Sequence, residues 1–341
     1  MSVKTTRRRL LFGLGAVPLI LAGCRSETED RPPLTTGGRA DRPAEGGIGG
    51  TGIVGTLLSE GLGPNRLAIN GLQVMAPDDL QVADALGVKS LAALQPGHAV
   101  TLEAETLDDG TLLARAATLV QPLSGEIEAV TPGGFQVLGN EVILDPGAIL
   151  LTQDGQPLTP TIGQRVAVSG LWRDQSRVVA TRVDEQPADA ADVIAAVVRE
   201  AESGVTLGGV PLVLPLGEQP PAAGSYATAV GRLTGGRLMT SRLGAGRFSG
   251  LAGPLTRLSV EGYLEPVAAA PGYIVADLGH SFDPKAKLAP FAKERALFTG
   301  PYTGDFAVAF ALPLPEAVSA RTTLLAQVQD GFAPADASST R

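Results

Sequence analysis

The feature that most constrains this chain is a tight turn, flanked by alternating apolar residues, that returns about every 70 residues. The first copy reads Leu67-Ala68-Ile69-Asn70-Gly71-Leu72-Gln73-Val74. The second reads Phe135-Gln136-Val137-Leu138-Gly139-Asn140-Glu141-Val142, and the third Val205-Thr206-Leu207-Gly208-Gly209-Val210-Pro211-Leu212. Asn-Gly, Gly-Asn and Gly-Gly accept the positive φ of two-residue hairpin turns, and flanks of period two are strands with one buried face. Asn70 to Gly139 and Gly139 to Gly208 each span 69 residues, and a degenerate fourth copy, 273–279, ends 71 residues beyond Gly208. A repeat of that length predicts an array of similar small units rather than one large core.

Other landmarks keep the same order inside each copy. A strand opens the unit at 52–57, 125–130, 193–197 and 262–267. A later glycine (Gly97, Gly163, Gly224, Gly304) leads into another strand, and a partner strand closes the unit at 112–116, 178–183, 238–243 and 323–328. Between hairpin and later glycine, 90–94 or 284–295 fits a single short helix. Five short strands with a helix or loop across the middle predict a small OB-like barrel. The 43 Gly and 26 Pro supply the many turns this needs. The expected fold is therefore all-β: about four tandem five-stranded OB-like barrels at 52–121, 122–189, 190–254 and 255–330, with a disordered tail at 331–341. Units of about 70 residues only marginally support their own cores, so neighbours should pack together.

The region 52–330 resembles tandem copies of the bacterial family called domain of unknown function 5666, OB-like barrels of exported and lipid-anchored proteins. The resemblance is carried by Gly125 and Ile127, the turn at Gly139 and Asn140, the strand Gly163-Gln164-Arg165-Val166-Ala167-Val168, and Val179-Ala180-Thr181-Arg182-Val183. Copy two fits best. Copy four departs most, with a longer middle segment and no glycine at the first turn position. The family has no assigned activity, so the resemblance implies a fold and leaves the function open.

The N-terminus gives an address. Lys4, Arg7, Arg8 and Arg9 precede an apolar run of twelve residues from Leu10 to Leu21, then Ala22, Gly23 and Cys24. That is an export signal, too short for the roughly 20 residues that cross a bilayer. Leu21-Ala22-Gly23-Cys24 resembles the lipobox of bacterial lipoproteins, and Cys24 is the only cysteine in the chain. The resemblance implies cleavage after residue 23 and a diacylated Cys24, whose two acyl chains anchor stably where one would not. Arg7 and Arg8 fit the twin-arginine export motif, with Leu10 where phenylalanine is usual. Arg25 after the cysteine favours the outer membrane. Residues 24–51 are a polar, Pro- and Gly-rich tether with a root-mean-square reach of about 28 Å. Membrane lipid is thus the first expected partner, in the bacterial envelope, facing the periplasm or the cell surface.

Removing residues 1–23 leaves 23 basic against 35 acidic residues, a net charge of −12, which repels a nucleic-acid backbone. One cysteine and two histidines exclude an internal disulfide and a zinc site built mainly from Cys and His. No nucleophile elbow, P-loop, HExxH or CxxC occurs, and no cofactor or metal is expected. Eight of the 13 aromatic residues remaining after the signal fall in copy four. Enlargement of that copy's core is the plainer reading. The expected function is a non-catalytic, membrane-anchored lipoprotein that serves as an interaction or structural module, an envelope protein or glycan being its further partner. One alternative is a glycan or small ligand held by the last barrel through Tyr263, Tyr273, Tyr302 and His280. A second is an envelope hydrolase using His280 between Asp277 and Asp283.

Overall fold

The computed structural model describes residues 49–58, 65–202, 204–267, 272–275, 278, 291, 294–304 and 306–328. The first segment contains β1 (Gly50–Thr56), β2 (Arg66–Ile69), β3 (Leu72–Met75), a small hairpin of β4 (Val82–Ala83) and β5 (Val88–Lys89), a 3-10 turn at Leu91–Ala93, β6 (Ala99–Thr106) and β7 (Leu112–Val120). The second contains β8 (Leu123–Thr131), β9 (Gly134–Val137), β10 (Asn140–Leu151), β11 (Arg165–Asp174) and β12 (Arg177–Glu185). The third contains β13 (Asp192–Ala201), β14 (Gly204–Leu207), β15 (Val210–Val213), β16 (Tyr226–Thr234) and β17 (Arg237–Ala245). The fourth contains β18 (Leu255–Gly262), β19 (Leu264–Val267), β20 (Gly272–Val275), β21 (Ala296–Pro301), β22 (Phe310–Pro313) and the helix α1 (Val318–Val328).

Pairing closes the second segment into a five-stranded ring. β8 pairs with β9, β9 with β10, β10 runs parallel to β12, β12 pairs with β11, and β11 returns to β8. The third segment repeats this as β13, β14, β15, β17, β16 and back to β13. The first follows the same order, with a single bridge between Leu57 and Ile69 joining its first two strands. The second segment is thus a closed five-stranded β-barrel. Wrapping so few strands needs a sharp bend. The last strand of each ring carries a bulge at the same place: Arg115, Thr181 and Ser241 are the extra residues, opposite the steps from Glu103 to Ala104, Ser169 to Gly170, and Val230 to Gly231 on the fourth strand. A Cβ on Gly170 would sit 2.2 Å from the Val179 carbonyl oxygen, and one on Gly231 2.1 Å from that of Met239.

The segments join in two pairs that are not all sequence neighbours. β8 and β13 pair antiparallel and unite segments two and three in one sheet, with a continuous core that includes Leu123, Phe135, Trp172, Ile194 and Leu207. β1 and β18 pair in parallel, Gly52 opposite Leu258 and Val54 opposite Val260, so segment one shares its sheet with segment four. Val54 accordingly packs into the fourth segment's core beside Phe298 and Phe306.

Three expectations change. In copy two the residues with positive φ are Leu138 and Gly139, not Gly139 and Asn140. Asn140 opens β10, and its side-chain amide donates to the Leu138 carbonyl, bracing the strained Leu138, whose side chain is buried in the core. In copy four the strand expected after Gly304 lies earlier, at β21, and pairs with β18; Tyr302 and Phe306 only bridge across the turn at Gly304. The closing strand expected at 323–328 lies instead within α1. Ala, Leu, Arg and Gln are good helix formers, no glycine or proline interrupts 318–328, and Arg321 and Leu325 fall on one helical face. The strand pairing with β21 is β22, just before the helix.

Candidate functional site

Of the expected site residues of the last segment, the side chains of Tyr263 and Tyr302 are described. Tyr263 is fully buried against Leu171 and Val179 of the second barrel, its hydroxyl donating to Glu316 Oε2 at 2.8 Å, and burial pushes its phenol well above the ordinary range. It is a packing residue between segments, not an exposed stacking platform. Tyr302 is half-buried at the edge of the fourth core. Tyr273 lies in β20, its backbone opposite Pro266. His280, Asp277, Asp283, Cys24, Arg7 and Arg8 lie outside the described residues, as do the Tyr273 side chain, the signal and nearly all of the tether and tail. Among the described residues no group of His, Cys, Asp or Glu is placed to hold a metal ion.

A buried charged junction instead ties three segments together. Arg295, at the mouth of β21, is 1% exposed. Its Nη1 donates to Asp145 Oδ2 of β10 at 2.9 Å, its Nε to Glu261 Oε1 of β18 at 2.8 Å and its Nη2 to Thr56 Oγ1 of β1 at 3.1 Å. Arg321 of α1 reaches the same carboxyls, Nη2 at 2.9 Å from Asp145 Oδ2 and Nε at 3.4 Å from Glu261 Oε1, and its Nη1 donates to the carbonyls of Pro315 and Glu316. The Thr56 amide closes the set on Glu261 Oε2 at 2.7 Å. Burial opposes the charge of Glu261, but Arg295 and Arg321 outweigh it and hold the carboxyl below its usual range. Burial likewise opposes the charge of Arg295, which Glu261, Tyr263 and Asp145 reverse, raising it. For Asp145 burial dominates and raises the carboxyl against the pull of Arg321 and Arg295. Two guanidinium and two carboxyl groups thus balance in a water-excluded space, so losing any one leaves its partners buried and uncompensated.

A second contact locks the first barrel to the second. Gly97 lies against β12, where a Cβ would meet the Thr181 carbonyl oxygen at 3.0 Å, and Thr181 Oγ1 donates to the Gly97 carbonyl at 2.6 Å. The neighbouring His98 is buried. Its Nδ1 accepts from the Gln95 amide at 3.0 Å, so Nε2 carries the proton and faces Asp184 Oδ2 at 3.3 Å. Burial lowers the His98 pKa below 6.5, with Arg182 and Lys89 in the same sense and Asp184 opposing. As pH falls through about 6.5 the unfolded chain takes up a proton that the folded one refuses, so stability falls with pH. Urea titrations at pH 7.5 and 5.5 should show a loss of at most about 1.4 kcal/mol per pH unit from this group. The loss should shrink in His98→Gln; an undiminished loss would assign it elsewhere.

A cleft of about 260 Å³ separates the first barrel from the third, over β6 and β7 on one side and β13, β16 and β17 on the other. Beside it Arg247 is laid over the Tyr226 ring, Cζ 4.2 Å from the centroid, and donates from Nε to Thr101 Oγ1 at 3.1 Å. Neither this cleft nor the charged junction is visible as a motif, because each draws ordinary residues from distant segments.

Residues 124–184, which span the closed ring from β8 to β12, match the family model described as Domain of unknown function (DUF5666). That segment is a DUF5666 domain. No curated protein and no solved structure matches the chain. The DUF5666 domain supplies Asp145 to the charged junction, Asp184 to the His98 contact, and Leu171 and Val179 to the packing around Tyr263. It is the piece against which the first and fourth segments are fastened.

Proposed function

We propose that this chain is a non-catalytic lipoprotein of the bacterial cell envelope. Four tandem OB-like barrels are held on a tether from an acylated Cys24 and act as an interaction or structural module. The observation that carries the reading is the buried junction of Asp145, Glu261, Arg295 and Arg321, which makes distant segments mutually dependent. A chain that spends its buried charges on fixing barrels against one another is suited to presenting a rigid outer surface. The fourth barrel is the modified member. Its β18 and β21 keep the first and fourth strand positions, and α1 follows where the array ends.

Export through the twin-arginine route fits this reading, since that route carries folded proteins and the junction completes only when the C-terminal helix is in place. The anchor is tested by feeding cells an alkyne analogue of palmitate. The chain should take up the label and sediment with membranes, and Cys24→Ala should do neither. Equal labelling of Cys24→Ala would remove the lipoprotein reading. Tyr263 is itself turned inward and offers no stacking face, and a ligand reading finds support in the cleft lined by Thr101, Thr118, Thr228 and Gly244.

A further inference from the structure

The cleft occupies equivalent positions of two barrels. Thr101 and Thr118, opposite one another on β6 and β7, correspond to Thr228 and Gly244, opposite one another on β16 and β17. In the second barrel the matching pair is Ala167 and Asp184, and there Asp184 reaches across to His98. Where that barrel continues Asp184-Glu185-Gln186, the third has Gly244-Ala245-Gly246, with almost no side chain to fill the gap. The space therefore follows from composition at a defined place in the repeat.

Its floor is apolar: Val120, Ala195, Val230 and the Tyr226 ring are buried between the barrels. Its charged lining groups are Asp84, Arg242 and Arg247. Arg247 lies over Tyr226, and Arg242, exposed at the mouth, has no carboxylate partner among the described residues. The one acid lining it, Asp84, is committed to Lys89 Nζ at 2.7 Å and to the amides of Leu86 and Gly87 at 2.8 and 2.7 Å. An exposed guanidinium, Arg242, at the mouth of an apolar cleft on a chain of net charge −8 favours an anion. Its volume of about 260 Å³ is just below the range of pockets for drug-sized ligands and suits a small molecule.

We propose that this cleft is a binding site for a small monocarboxylate with an apolar body, the carboxylate at Arg242 and the body on the Val120–Val230 floor. The site does not depend on the anchor or on the barrel count. The test is saturation-transfer NMR on the full chain with matched acids and amides: phenylacetate and phenylacetamide, cyclohexanecarboxylate and its amide, hexanoate and hexanamide. At least one acid should give a signal fivefold or more above its amide. Thr228→Trp, which fills the cleft, and Arg242→Glu, which reverses its charge, should each abolish the difference, with thermal midpoints close to the parent's. No acid signal, no preference for acid over amide, or a preference that survives Thr228→Trp in a folded variant would each overturn the proposal.

Discussion

Arg295→Met is expected to destabilise the folded chain by about 3–5 kcal/mol, the usual cost of breaking a buried ion pair by removing one partner. The methionine fills similar volume, so little of the loss would be cavity. The cost is electrostatic: Arg321 is the only guanidinium left to Asp145 and Glu261, and the Thr56 hydroxyl loses its donor. Urea titration of variant and parent measures the loss. Arg295→Lys separates charge from geometry, since an ammonium retains the charge but cannot reach Asp145, Glu261 and Thr56 together as a guanidinium does. It should fall between parent and Arg295→Met. A loss below 1 kcal/mol for Arg295→Met would mean that the junction is solvated and holds nothing.

Trp172→Ala should be comparably severe, about 3–5 kcal/mol. Trp172 extends from β11 into the core shared by the second and third barrels, its Nε1 donates to the Ala195 carbonyl of β13 at 2.7 Å, and its ring lies so close to Gly208 that a Cβ there would meet it at 2.4 Å. Truncation therefore opens a cavity between two barrels and strips a buried carbonyl of its donor. Trp172→Phe keeps most of the volume and loses the N–H, so it should cost about 1–2 kcal/mol, the penalty of an unsatisfied buried group. Equal losses for the two variants would show that the hydrogen bond, not packing, joins the barrels.

How legible these features were follows from their range along the chain. The hairpins are local: Asn70 with Gly71 and Gly208 with Gly209 take the positive φ that their residue types suggest. Copy two hid its turn by one residue because Leu138, a poor candidate by type, is held there by Asn140 and its own burial. The last copy misled because Gly304, read as the start of a strand, makes a turn after one. Pairing of β1 with β18 joins residues about 205 apart, and no local pattern reports it. The charged junction was unreadable for the same reason. Glu261 alternates with Leu258 and Val260 as any outward residue of a half-buried strand would, and only the arrival of Arg295, Arg321 and Asp145 turns that outer face into an interior. Tyr263 follows suit, since a tyrosine's exposure depends on what packs over it.

The central claim is that the barrels behave as one body because the charged junction and the shared sheets bind them. Urea unfolding followed in parallel by Trp172 fluorescence, which reports the second and third barrels, and by amide hydrogen exchange of β1, β6, β18 and β21, which reports the first and fourth, tests it most directly. Coincident transitions in the parent, separating in Arg295→Met, are the predicted result. Separate transitions already in the parent, unchanged by Arg295→Met, would contradict it and leave a string of independent barrels.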